Sequence, residues 1–138
     1  MGIISTDKNK ITLIYNSNNS LGKQTLGYVN SSKKDILSID TAKTNITDTQ
    51  WLEISNYLDI DISDLIDKKH PKFNELYNSN IQLETNGWLK ILDTHPEVVR
   101  YPIVIIGEEY HQIQNPSDFV KFIEPDSAGI SRNPAEEN

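Results

Sequence analysis

The stretch ITLIYNSNNSLGKQTLGYVN, Ile11 to Asn30, is the key to the architecture. Its first five residues, Ile11 to Tyr15, are β-branched, apolar or aromatic and are cut off by the polar run Asn16-Ser17-Asn18-Asn19, which predicts a short buried strand. From Ser20 onward Leu21, Thr25, Leu26, Tyr28 and Val29 fall at spacings a helix accepts, and Ser20 is placed to cap it. A second strand-like run, Ile36 to Asp40, completes a β-α-β unit.

Downstream of that unit the pattern turns helical. Thr47 or Asp48 predicts the cap of a helix with Trp51, Leu52, Ile54, Tyr57 and Leu58 on its apolar stripe. A short segment at Ile62 to Ile66 follows, capped by Asp61 or Ser63, and Pro71 opens another helix through Phe73, Leu76 and Tyr77. Thr85 to Asp93 predicts one more, and both tryptophans, Trp51 and Trp88, read as core. Pro102-Ile103-Val104-Ile105-Ile106 is a continuous apolar run of the kind a fully buried strand shows. Gly107-Glu108-Glu109 then turns the chain into Tyr110 to Ile113, and Asn115-Pro116-Ser117-Asp118 starts a last helix carrying Phe119, Val120, Phe122 and Ile123. The predicted order is β-α-β, helical insert, β-β-α. The expected organisation is one domain over residues 1–125 and a flexible, acidic tail over 126–138.

The whole chain has 138 residues, a length suited to one hydrophobic core. Twenty acidic against 13 basic residues give a formal charge of −7, a field that repels nucleic-acid phosphates and anionic membrane surfaces. No apolar run approaches the roughly 20 residues of a membrane span, so the expectation is a cytoplasmic protein with no nucleic-acid or membrane partner. The sequence has no cysteine, which removes disulfides, thiolate nucleophiles and cysteine-based zinc sites. The acidic run Asp59, Asp61, Asp64 and Asp67 lacks the ligand spacing and glycine of an EF-hand loop and reads as a solvated face, so no metal and no cofactor is expected.

Three local matches resemble the arsenate reductase family, which includes the Spx regulators, within the thioredoxin superfamily. The first is Ile14-Tyr15, a polar loop and Gly22-Lys23-Gln24-Thr25-Leu26, similar to that family's strand, cysteine loop and first helix. The second is Leu65-Ile66-Asp67-Lys68-Lys69 leading to Phe73-Asn74-Glu75-Leu76, similar to its Leu-Leu-Arg-Lys segment and following helix. The third is His95-Pro96, then Pro102-Ile103-Val104, then Asn115-Pro116-Ser117-Asp118, in the family's order. The resemblance implies an α/β, thioredoxin-like fold with a mixed four-stranded sheet and a helical insert.

The departures from the family fall where its chemistry lies. Anchoring on Lys23-Gln24-Thr25-Leu26 puts Asn19 over the catalytic cysteine; anchoring on Ile14-Tyr15 puts Ser20 there. Where the family carries arginines that hold an oxyanion, this chain has Asp67, Tyr101 and Asn115, and its two arginines are Arg100, one residue off register, and Arg132 in the tail. A cysteine-free degenerate loop of Asn19, Ser20 and Lys23 can still offer a helix N-terminus to a small anion or to glutathione. The resemblance also implies a cis Tyr101-Pro102 bond beside that loop, with Tyr101 and Pro102 forming the wall of a peptide groove. The expected function is that of a catalytically inactive, protein-binding or regulatory module; the alternative is an oxidoreductase of the arsenate reductase or glutaredoxin type that recruits an external thiol such as glutathione.

Overall fold

The computed structural model describes residues 10–32, 35–78 and 80–123; the predicted tail lies outside the described residues. Strands β1 (Ile11–Tyr15), β2 (Ile36–Asp40), β3 (Ile103–Ile106) and β4 (Glu109–Gln112) form one mixed sheet in the order β2-β1-β3-β4. β1 runs parallel to β2 and antiparallel to β3, and β3 is antiparallel to β4. The parallel pair is the one joined by a helix, α1 (Ser20–Ser31), as a crossover connection requires. The β3-β4 hairpin turns at Gly107, whose φ of 63° is the left-handed value that glycine reaches without a Cβ clash.

Alternation along the central strands divides the core between the two sheet faces. Ile11 and Leu13 of β1 and Val104 of β3 pack with Val29 of α1 and with Phe119 of the last helix, α5 (Asp118–Ile123). Ile14 of β1 and Ile103 and Ile105 of β3 point the other way, into a larger cluster supplied by the insert. That insert comprises α2 (Asp48–Leu58), a one-turn 3-10 helix at Ile62–Leu65, α3 (Pro71–Leu76), α4 (Thr85–Thr94) and a second 3-10 turn at Pro96–Val98. Trp51, Phe73 and Trp88 are buried at its centre.

Local chemistry explains the element boundaries. Thr47 caps α2 through a capping box with Gln50: each side chain bonds the other's backbone N–H at 3.1 Å. Asp61 and Asp64 make the same reciprocal arrangement around the first 3-10 turn. The α1 boundary differs from the sequence reading. Asn19, not Ser20, is the N-cap residue, and Ser20 is the first helical residue, its hydroxyl accepting from Gln24 Nε2 at 3.3 Å. The last helix starts at Asp118, because Asn115 to Ser117 form a turn in which Asn115 Oδ1 accepts from the Ser117 N–H at 3.2 Å.

Candidate functional site at the loop between β1 and α1

The loop between β1 and α1 is held from both sides. Asn16 turns it by accepting the N–H of Asn18 on its side chain at 2.8 Å and the N–H of Asn19 on its carbonyl at 3.1 Å. Across the parallel strand pair, Asn16 Nδ2 donates to Thr41 Oγ1 at 2.9 Å, and Asp40 Oδ1 accepts the N–H groups of Ser17 and Ala42, each at 3.0 Å. Burial alone would raise the Asp40 carboxyl; the bonds from Ser17 and Ala42, with the nearby Lys43 charge, outweigh it and hold the group below its usual range. Gly22 is required at this junction, because a Cβ there would lie 2.4 Å from the Asn16 carbonyl oxygen.

Asn19 spends its side chain away from the helix. Its Nδ2 donates to the Glu97 carbonyl at 3.1 Å, tying the loop to the second 3-10 turn, and it makes no side-chain cap bond. The first-turn N–H groups of α1 are therefore left without a side-chain acceptor from the cap residue.

A cavity of about 100 Å³ opens beside this loop. Its floor is apolar, from Ile14, Trp51, Val99 and Pro102, and its polar wall comes from Asn16, Asn19, Thr41, Asp67, His70 and Arg100. An engineered apolar cavity of roughly 150 Å³ holds one benzene, so this volume suits a few waters or one small molecule. Asp67 and Arg100 arrive from two short extended segments bridged at Ile66 and Val99: the Asp67 N–H donates to Val98 O at 2.8 Å and the Arg100 N–H to Leu65 O at 2.7 Å. The Arg100 guanidinium sits over the Tyr101 ring, 5.1 Å from its centroid. His70 Nδ1 accepts the Lys72 N–H at 3.0 Å, capping α3, so the neutral ring carries its proton on Nε2. Trp51 is 1 % exposed, and its indole N–H is a buried donor with no acceptor among the described residues. Burial, and then the charge of Asp40, raises the Tyr15 hydroxyl above its ordinary value.

This geometry brings together part of the expected site. Asn19, Tyr101 and Pro102 share the cavity wall; Ser20 and Lys23 do not line it. Asn115 caps the turn before α5 and also lies off the wall. The Tyr101-Pro102 bond is trans, against the cis expectation. Trans is the form an X-Pro bond prefers by roughly 0.5–1 kcal/mol, and the backbone on either side is held by the Arg100 N–H on Leu65 O and by the Ile113 N–H on Pro102 O at 2.8 Å. Of the other lining residues, Trp51 reads from sequence only as core, and Thr41 lies just past the predicted strand Ile36 to Asp40.

No protein-family model and no curated protein matches the sequence. Solved structures do match. An arsenate reductase from Vibrio cholerae superposes with a TM-score of 0.70 at 16% identity, covering 83% of this chain and 98% of that one. The chain has the arsenate reductase fold. An arsenate reductase (ArsC) related protein from Brucella melitensis gives a TM-score of 0.60 at 13% identity, covering 90% of this chain and 98% of that one. The mixed four-stranded sheet with its helical insert is thus the thioredoxin-like sheet of arsenate reductase-like proteins, here in a chain with no cysteine. Among the described residues, no helix is long and apolar enough to cross a membrane.

Proposed function

We propose that this protein is a non-catalytic, protein-binding or regulatory module on the arsenate reductase fold, with the former cysteine-loop surface as a binding surface. The observation that carries this reading is the side chain at the loop's cavity-facing position. Asn19 supplies an amide, not a thiol, and that amide is already committed to the Glu97 carbonyl. Asp67 and Tyr101 line the same cavity, and by the resemblance they stand at positions where the family carries the arginine forks that suit an oxyanion. A carboxylate beside the cavity works against a polyanionic substrate, and one arginine stacked on Tyr101 does not restore the cage.

The alternative, an oxidoreductase using glutathione as an external thiol, requires a tripeptide to dock where the cavity measures about 100 Å³, so most of it would lie across the rim. A coupled reductase assay with arsenate and with a glutathione-mixed disulfide separates the two readings. The expected result is a wild-type rate equal to the no-enzyme rate; turnover above it overturns the non-catalytic reading and favours the glutathione-borne one.

A further inference from the structure

A much larger concavity than the loop cavity lies in the helical insert. It is a groove of about 920 Å³ between the C-terminal half of α2, residues 60–63 and the connection 80–85 that leads into α4. Its apolar wall is made by Leu52, Ile60, Ile81, Leu83 and Trp88. Leu52 is 40% exposed there, whereas Trp88 is 5% exposed and fixed from behind by stacking on Phe73. Along one side of the groove, nothing among the described residues pairs with the backbone N–H or C=O of Gln82 or Leu83. Gln82 is exposed and Leu83 half-buried, so these groups are open to water in the free protein and available to the backbone of an extended peptide that displaces it.

The charge of the groove selects among peptides. Asp61 and Glu84 lie on its wall, and a contiguous hollow at its end adds Asp59 and Asp64. None of these four carboxylates has an ion-pair partner among the described residues. Asp59 also closes the C-terminus of α2, the negative end of its dipole, and the last turn of that helix has no basic residue. Among the described residues Lys68 is the one cation on the wall, and it is held back by the Ser63 carbonyl at 3.1 Å and by the Trp88 ring, 5.3 Å to its centroid.

We propose that this groove binds an extended, basic peptide segment of another protein, with apolar side chains at alternate positions packing on Leu52, Leu83 and Trp88 and its lysines or arginines meeting the acidic end. Backbone pairing with whichever of Gln82 and Leu83 faces the groove sets its register, since consecutive residues of an extended chain present their N–H and C=O groups to opposite sides, and the carboxylates set its sign. The inference rests on the reading of the protein as a binding module and gives that module a partner class and a second surface.

The test is a titration of the full chain with the capped peptide Lys-Leu-Lys-Val-Lys-Leu-Lys, followed by amide and indole NMR shifts, beside the same peptide with glutamate for lysine. Saturable binding is expected for the basic peptide alone, with the largest shifts at the Gln82 and Leu83 amides and the Trp88 indole. Raising salt from roughly 0.05 to 0.5 M should weaken it about ten-fold. The double variant Asp59→Asn, Glu84→Gln should weaken it roughly five-fold at low salt; asparagine tolerates the left-handed φ of 58° at position 59, so the fold is kept. No saturable binding at millimolar peptide, equal binding of the acidic peptide, or shifts centred on Asn19 and Tyr101 overturns the proposal. A wild type active as a reductase would defeat the non-catalytic reading without altering this result, so the two failures are distinguishable.

Discussion

The loop between β1 and α1 and the insert groove sit in one small molecule and solve opposite problems. Around the loop, most polar groups have partners: Asn16, Ser17, Asn18, Asn19 and Thr41 exchange hydrogen bonds with each other, with Asp40 and with Glu97, and the cavity left over is small. Around the groove, backbone groups at Gln82 and Leu83 and several carboxylates have no partner among the described residues, and Leu52 is exposed. A loop without a nucleophile need not be a loose one. The loop keeps its turn, its close helix approach and its ties to β2 and the second 3-10 turn, while the less satisfied surface lies in the insert.

The most severe challenge to that contrast is Gly22→Ala. The added Cβ meets the Asn16 backbone carbonyl at 2.4 Å, so loop and helix must part, and a loss of about 2–3 kcal/mol in denaturant unfolding is expected. An unchanged midpoint would mean that the loop is not clamped. Asp40→Asn comes next. It removes the charge that accepts the Ser17 and Ala42 N–H groups, with an expected cost of about 1 kcal/mol at pH 7. Because the folded-state carboxyl is held below its unfolded value of 3.8, its stabilisation is present above that value and lost as pH falls through the lower, folded one. The variant should therefore lose less stability than wild type on acidification below about pH 4.

Gly27→Ala is the matched control on the same helix, since nothing lies within 4 Å of a Cβ there and the site is exposed. A gain of roughly 0.5–1 kcal/mol is expected, opposite in sign to Gly22→Ala. The smallest effect belongs to the insert. Partial burial, and then the hydrogen bond and charge of Asp48, push Asp93 up to about 6. Its folded value lies above the unfolded 3.8, so its contribution is full below that value and is lost as pH rises toward about 6. Asp93→Asn should flatten the stability curve between about pH 4 and 6, read by thermal unfolding across that window. A slope identical to wild type would remove the Asp48–Asp93 pair from the account.

Much of this molecule is written locally in its sequence. Ile11 to Tyr15 and Ile103 to Ile106 read as strands because apolar and β-branched residues dominate both, and Thr47 with Gln50 announces a capping box by spacing alone. The candidate site was half legible. Asn19, Tyr101 and Pro102 fall at recognisable positions of a motif, but His70 and Thr41 reach the cavity through the packing of α3 and the β2 edge, which no local pattern encodes. Ser20 misled because serine is a favoured N-cap, whereas here the turn built on Asn16 fixes the helix start one residue earlier. The trans bond at Pro102 departs from what the resemblance implies, and the Arg100 bond to Leu65 just before it joins residues far apart in sequence, which no local pattern announces.

If the loop between β1 and α1 is a scaffold able to activate a thiol, placing one there should show it. Asn19→Cys and Ser20→Cys would be compared with wild type for the pH dependence of their reaction with glutathione disulfide. Such a scaffold predicts an inert wild type and, in the Asn19→Cys variant, a thiol at the N-terminus of α1 that titrates about a unit or more below its ordinary value, with a near-ordinary thiol in the Ser20→Cys variant. A wild type that reacts, or a thiol at position 19 no more acidic than one at position 20, would contradict it.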